Sequence, residues 1–291
     1  MDLRIQIKNM EKGIEKIGEQ KESADIRVVS RFRRHADPAK DEATGRSLDR
    51  LKDTGIEQAE LIGCESKRSG RDEKIKKAFH SPKERAWETL MYMLSGAGKE
   101  NMKVYQRAEL DTMEITPNVN ANMQWKDKEA GVKRNFDEMI DFILNHPEEQ
   151  DEIEKLAEKM SHRVNVAANM SKYLQVGDDV ETESVTHGPV QEAFLKKVLV
   201  QRDGKRGFDS VLEIGGAFKP GEGFEIETVQ KADGTTEKKL VIYRLDEKGV
   251  KEINRTEHNV DWDEVARLGE IYRQKKVTEQ KERMKERRIL M

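Results

Sequence analysis

Three short stretches of this chain carry residue types able to act on a phosphoryl group. The first runs Ile26-Arg27-Val28-Val29-Ser30-Arg31-Phe32-Arg33-Arg34-His35-Ala36-Asp37-Pro38. It opens as a β-branched run, which reads as a strand, and stops on an Arg-His pair just before a turn residue and a proline. A guanidinium meets phosphate oxygens through a planar fork, and a neutral imidazole is a nucleophile. The second is Arg85, placed near the start of a helix, where the positive end of the dipole favours an anion. The third is Thr186-His187-Gly188, again a strand ending on a histidine. Taken alone, Arg31, Arg33 and Arg34 read equally well as a surface basic cluster. At all three junctions the same residue types recur where ligands of α/β sheets collect, outside the carboxyl ends of the strands, which suggests phosphoryl chemistry and leaves the choice to the rest of the chain.

The elements that must position these residues follow from pattern and punctuation. Residues 1 to about 25 read as a charged N-terminal helical arm, and the first strand begins at Ile26. Thr54-Gly55-Ile56-Glu57 has the form of a capping box and opens a helix that Gly63 is expected to stop. Ile75 to Phe79 is a short strand, and Ser81-Pro82-Lys83-Glu84 a second capping box leading into a helix with Trp87, Leu90, Met91 and Leu94 on one face. Met102 to Tyr105 is a further short strand, followed by an acidic loop. Residues 118–134 are polar and unpatterned. Asn135–Leu144 and Glu148–Leu174 are amphipathic helices separated by His146-Pro147. After His187 a helix begins at Val190. Gly223 to Val229 alternates like a strand, Asp233-Gly234 is a hairpin signal, and Leu240–Tyr243 returns. Residues 261–290 form a terminal helix, apolar at Trp262, Val265, Leu268 and Ile271 and almost wholly charged beyond Lys275. His146 and His162 lack metal-ligand spacing and read as structural.

Composition narrows the classes. The chain has 291 residues, 35% hydrophobic, 38% charged and only 5% aromatic, with a net charge of -3. That balance argues against a general nucleic-acid footprint, which needs a basic excess. Its single cysteine, Cys64, forms no internal disulfide and fits a reducing compartment. No apolar run is long enough to span a membrane, and the N-terminal residues lack the apolar core of a signal peptide. The expected setting is cytoplasmic.

Four pieces, in order, resemble the histidine phosphatase (phosphoglycerate mutase-like) superfamily. They are Arg34-His35-Ala36, Leu51-Lys52-Asp53-Thr54-Gly55-Ile56-Glu57-Gln58-Ala59, Ser81-Pro82-Lys83-Glu84-Arg85-Ala86-Trp87-Glu88-Thr89 and Val185-Thr186-His187-Gly188-Pro189-Val190. They are similar to the family's Arg-His pair, its Leu-Thr-x-x-Gly-x-x-Gln-Ala helix start, its Ser-Pro-x-x-Arg-Ala-x-Glu-Thr segment and its Val-Thr-His-Gly segment. Lys52 stands where a Thr is usual. Together they span about residues 26–200; beyond 200 the resemblance thins.

The resemblance implies a fold and roles. The fold is a three-layer α/β sandwich with a mixed, mostly parallel sheet and helices on both faces, plus a C-terminal hairpin and a long charged helix. A domain over 26–250, with a helical insertion at about 118–175, would be followed by a charged C-terminal helix over 251–291. His35 would be the nucleophile, forming a phosphohistidine. His187, Arg34 and Arg85 would hold the phosphate oxygens, with no metal and no other cofactor. The neighbouring cations would depress the His35 pKa and keep it neutral. A carboxylic acid in the loop after Arg85 would protonate the leaving group. Glu109 has the more usual separation and Glu114 has the Ile115 that follows the family's acid, so both stand as candidates. The implied activity is hydrolysis of a phosphomonoester or a phosphohistidine, on a small molecule or a phosphoprotein. A phosphomutase, or a phospho-ligand or protein-binding module without catalysis, are the alternatives. The terminal helix offers a face to a protein partner or a second copy; no nucleic-acid or membrane partner is expected.

Overall fold

The computed structural model describes residues 25–42, 47–113 and 135–289, with side chains as far as residue 286. In chain order the elements are β1 (Ile26–Arg34), β2 (Pro38–Lys40), β3 (Ser47–Leu51), α1 (Asp53–Arg68), β4 (Ile75–His80), α2 (Glu84–Gly96) and β5 (Val104–Gln106). There follow α3 (Phe136–Asn145), α4 (Gln150–Ala168), β6 (Asp179–Thr186), α5 (Gly188–Val198), β7 (Leu199–Val200), β8 (Gly223–Gln230), β9 (Thr236–Leu245), β10 (Glu252–Val260) and α6 (Trp262–Ile289). The proposed N-terminal arm lies outside the described residues, as do Glu114 and the residues from there to 134.

Eight strands form one mixed sheet in the order β5-β4-β6-β1-β8-β9-β10-β7. The half from β5 to β1 is parallel and the half from β1 to β7 is an antiparallel meander. Six of the strands point one way, with β8 and β10 reversed. Helices cover both faces. Ala59, Ile62 and Met93 of α1 and α2 pack with Tyr243 and Leu245 on one side. Phe32, Phe194 and Phe224 anchor the other side, beneath α3, α4, α5 and the first turns of α6. This is the three-layer mixed architecture expected from the sequence.

Several local expectations need correction. Gly63 does not end α1, which runs on to Arg68. Instead Gly63 lets α1 press on α2, since a Cβ there would collide with the Met93 carbonyl. Neither proposed capping box forms: the cap positions are Lys52 and Lys83, with no side-chain cap bond, and the Ser81 hydroxyl is used elsewhere. The long helix expected over 148–174 is broken into α4, flanked by 3-10 turns at Pro147–Glu149 and Met170–Tyr173. Strand β10 was not legible, and it takes the first part of the 251–291 span expected to be helix, which begins only at Trp262. Its residues are mostly exposed and polar, so no apolar alternation marks it, and the β9 ladder holds it in place.

The face beneath α1 and α2 carries a buried layer of charge. Arg33 donates to Glu183 at 3.0 Å, and both are at most 3% exposed. Arg31 pairs with Glu225 at 3.0 Å and with Glu252 at 2.5 Å; Arg71 reaches Glu252 at 3.0 Å. Arg31 and Arg33 are therefore no surface cluster: they alternate inward from β1 and find carboxylates on β6, on β8 and at the start of β10. Burial pushes the Glu183 carboxyl up, but Arg33 and then Arg31 outweigh it and hold it below its usual value. Glu183→Ala strips Arg33 of its partner in the interior. We expect a loss of about 3–5 kcal/mol, read from denaturant unfolding. Because the folded-state pKa is depressed, the contribution of Glu183 is present above its unfolded pKa and fades as pH falls below it.

Candidate active site

The parallel register brings the two histidines together. Arg34 lies opposite Thr186, and the His35 N–H still donates to the Thr186 carbonyl at 2.9 Å, so the next residue on each strand is a histidine. The His35 and His187 rings sit 5.1 Å apart between centroids and both residues are buried. Nothing in the separation of 35 from 187 along the chain announces this. It follows from the pairing of β1 with β6.

Each ring has an assignable proton. His35 Nδ1 lies 2.7 Å from the Ala36 carbonyl, an acceptor only, so Nδ1 carries the hydrogen and Nε2 keeps its lone pair. His187 Nδ1 receives a hydrogen from Arg85 Nη2 at 3.4 Å, which leaves Nε2–H to donate to Ser81 Oγ at 2.6 Å. Ser81 Oγ also accepts the Lys83 N–H at 3.2 Å. Burial, then Arg34 and Arg85, hold the His35 pKa well below the ordinary imidazole value. Burial, then His35, Arg85 and Arg34, do the same for His187. Both rings are neutral at physiological pH.

The guanidiniums complete the cluster. Arg85, at the second position of α2, turns back and also donates to the Leu48 carbonyl at 3.4 Å. Burial lowers its pKa, and the fields of Asp49 and Asp111 act against that; Asp49 Oδ1 also accepts the Arg85 backbone N–H at 3.5 Å. The Arg34 guanidinium carbon sits over the Phe136 ring, 4.3 Å from its centroid, and Arg34 donates to the Phe218 carbonyl at 2.6 Å. Burial pulls its pKa down to about 10. His187 forms the N-terminal cap residue of α5, so the helix directs its positive end at the same place.

The remaining motif residues build the frame. Thr89 Oγ1 receives the Ala36 N–H at 3.0 Å, and Glu88 receives the Leu51 N–H at 2.6 Å. Gln58 donates to the carbonyls of Pro220 and Gly249, both at 2.9 Å. Gly55 permits the chain to pass beside Asp37, where a Cβ would strike its carbonyl.

The carboxylates are arranged less simply. Glu109 is half-buried in the turn after β5 and acts on Arg163 and Tyr272, on the α4 and α6 side. It lines a groove there with His162, Tyr272 and Lys276. Glu114 lies outside the described residues. Asp111, passed over in the sequence, is half-buried and is, among the described residues of that loop, the carboxylate whose field reaches Arg85. Its position is set by Thr186 Oγ1, which donates to the adjacent Leu110 carbonyl at 2.7 Å. The only signal for Asp111 in the sequence was its place between the two candidate glutamates.

Two imidazoles and two guanidiniums, carried by three of the four matching pieces, lie at one edge of the sheet. The chain resembles the histidine phosphatase superfamily. No family model matches the chain, and no curated protein does. Among solved structures it is similar to phosphoglycerate mutase from Bacillus anthracis, at 17% identity and a TM-score of 0.43, over 86% of this chain and 99% of that one. It is similar to the protein histidine phosphatase SixA complexed with tungstate, at 16% identity and a TM-score of 0.33, over 73% and 94%. It is also similar to a mycobacterial glucosyl-3-phosphoglycerate phosphatase, at 13% identity and a TM-score of 0.43, over 75% and 97%. Overlaps this loose do not bear on activity or substrate. Among the described residues no helix is long and apolar enough to cross a membrane, and no group of histidine, cysteine, aspartate or glutamate has the arrangement of a metal site.

Proposed function

We propose that this chain is a phosphatase of the histidine phosphatase type, hydrolysing a phosphomonoester or a phosphohistidine through a covalent phosphohistidine on His35. The observation that carries this reading is the lone pair of His35 Nε2: it belongs to a buried neutral imidazole flanked by Arg34 and Arg85 and facing a second imidazole. Nε2 attacks phosphorus, the P–N bond forms and the bond to the leaving oxygen breaks. Nδ1–H stays on the Ala36 carbonyl and spreads the positive charge that develops on the ring. Arg34, Arg85 and His187 hold the equatorial oxygens, where charge stabilisation does most of the work in phosphoryl transfer. Asp111 gives its proton to the leaving oxygen. It then takes one from the water that attacks the phosphoenzyme, and the P–N bond breaks to return neutral His35 and inorganic phosphate.

The test is release of p-nitrophenol from p-nitrophenyl phosphate in the presence of a chelator, with acid-labile, alkali-stable label trapped from a radioactive phosphodonor. A protein that binds phosphate but neither turns over nor takes up label is a binding module, and the reading fails. Label returned to substrate rather than released to water would make it a mutase.

Ser81 fixes the His187 ring in either tautomer: its hydroxyl accepts Nε2–H while Nδ1 receives the Arg85 hydrogen, and it donates its own hydrogen to a bare Nε2 when the ring carries its hydrogen on Nδ1. It therefore allows His187 to present Nδ1–H to an anion without becoming charged. Ser81→Ala is expected to lower kcat/KM for p-nitrophenyl phosphate by about tenfold, the cost of one charge-orienting hydrogen bond, with little change in melting temperature. Ser81→Thr should restore most of it.

A further inference from the structure

Behind Arg34 lies a carboxylate that the proposed mechanism leaves unused. Glu192, on α5, is fully buried. Its Oε1 accepts the Phe218 N–H at 2.9 Å, and its Oε2 is buried with no hydrogen-bond partner among the described residues. Arg34 donates to the carbonyl of the same residue, Phe218, at 2.6 Å. Phe218 is thus gripped at its N–H by Glu192 and at its C=O by Arg34. The segment before it is already fixed: Arg244 donates to the carbonyls of Ile214 and Gly216 at 2.7 and 2.6 Å, and Asp137 accepts the Ala217 N–H at 2.8 Å. Gly215 and Gly216 take positive φ angles of 84° and 95° to bring those carbonyls round. After burial itself, Glu192 exerts the largest influence on the Arg34 guanidinium, ahead of Asp37.

We infer that Glu192 is a positioning residue and the resident counter-charge of the oxyanion site: through Phe218 it sets where Arg34 stands, and its own charge competes with a bound dianion. The inference rests on reading the cluster around His35 as an oxyanion site, though not on turnover. Two effects with opposite signs follow. Removing the side chain frees Phe218 and loosens Arg34, so an anion binds less well. Removing only the charge keeps the grip and makes the site more positive, so an anion binds better.

The same residue gives the site a dependence on pH. Burial pushes the Glu192 carboxyl up to about 7, with the Phe218 N–H, Arg34 and Arg244 acting the other way. It is neutral below that value and negative above it, so the hold on a dianion weakens as pH rises. Arg34 of β1 and Arg244 of β9 face Glu192, while Asp37, after β1, and Glu222, before β8, act on Arg34. Asp137 of α3 holds the neighbouring Ala217. His35 and His187 are held well below the ordinary imidazole value.

Sulfate is the probe, because it stays doubly charged from about pH 5.5 to about pH 8.5, and calorimetry reads its binding without catalysis. For the full chain, the sulfate dissociation constant should rise roughly three- to tenfold across that range, a change of the size one buried unit charge produces. Glu192→Gln should match the wild type at the acid end, bind several-fold tighter at the alkaline end, and lose the pH step. Glu192→Ala should bind at least about tenfold more weakly at every pH. Circular dichroism confirms that each variant is folded; should Glu192→Ala unfold, the Gln variant decides alone. A pH step that survives in Glu192→Gln, a Gln variant that binds more weakly than wild type, or a wild type that takes up no sulfate overturns the inference. A wild type that binds sulfate with the expected step yet releases no phosphate from p-nitrophenyl phosphate overturns only the phosphatase reading.

Discussion

His35→Ala is expected to abolish turnover of p-nitrophenyl phosphate, with a loss of at least about 10³-fold in kcat and no label retained on the protein after a radioactive phosphodonor. The size follows from geometry. His35 is the residue whose Nε2 is free, its Nδ1 being tied to Ala36 O, while His187 Nε2 is engaged with Ser81. His187 therefore does not stand ready as a replacement. The ring fills a buried space between strands, so its removal will also cost some stability, and His35→Gln is the better-filled control. Retention of alkali-stable label in both variants would move the covalent intermediate to another residue and end the assignment.

Asp111→Asn should reduce kcat by about 10²–10³-fold on alkyl phosphates, whose leaving oxygen needs a proton, and far less on p-nitrophenyl phosphate, whose phenolate leaves unaided. Glu109→Gln should change both by less than about twofold, because Glu109 acts on Arg163 and Tyr272. The contrast between leaving groups separates loss of a proton donor from loss of fold, since a misfolded site is poor on every substrate. If Glu109→Gln carries the alkyl-selective loss and Asp111→Asn does not, the acid is the glutamate that sequence spacing favoured. Equal loss on both substrates in Asp111→Asn would mean that it only orients Arg85.

The residues clustered around His35 were legible in the sequence because each belongs to a local pattern. Arg34-His35 ends a β-branched run, Arg85 follows Ser-Pro, and His187 precedes Gly-Pro. Their meeting was not legible from any one of them. It depends on the parallel pairing of β1 with β6 and on the turn of α2, which are tertiary facts. The capping boxes were misread for a related reason. Thr54 and Ser81 have the right spacing, but Lys52 and Lys83 take the cap positions, and His187 and the Lys83 N–H claim the Ser81 hydroxyl. Asp111 escaped because loop carboxylates carry no periodicity; tertiary contacts such as the Thr186 to Leu110 hydrogen bond place that loop. Glu192 was hidden inside an apolar helix face, and β10 inside a polar run, where pattern-based reading is blind.

The arginine and glutamate lattice beneath α1 and α2 has a consequence for how the protein responds to its solvent. Its pairs are shielded from mobile ions, so concentrated brine should leave them intact while weakening the exposed couples along α6, such as Arg273 with Glu270 and Lys276 with Glu279. Heating acts in the same direction, because the hydration that charged groups give up when buried is worth less in hot water. The central sheet should therefore be the last part of the molecule to yield to salt or to warmth, and the outer half of the terminal helix the first.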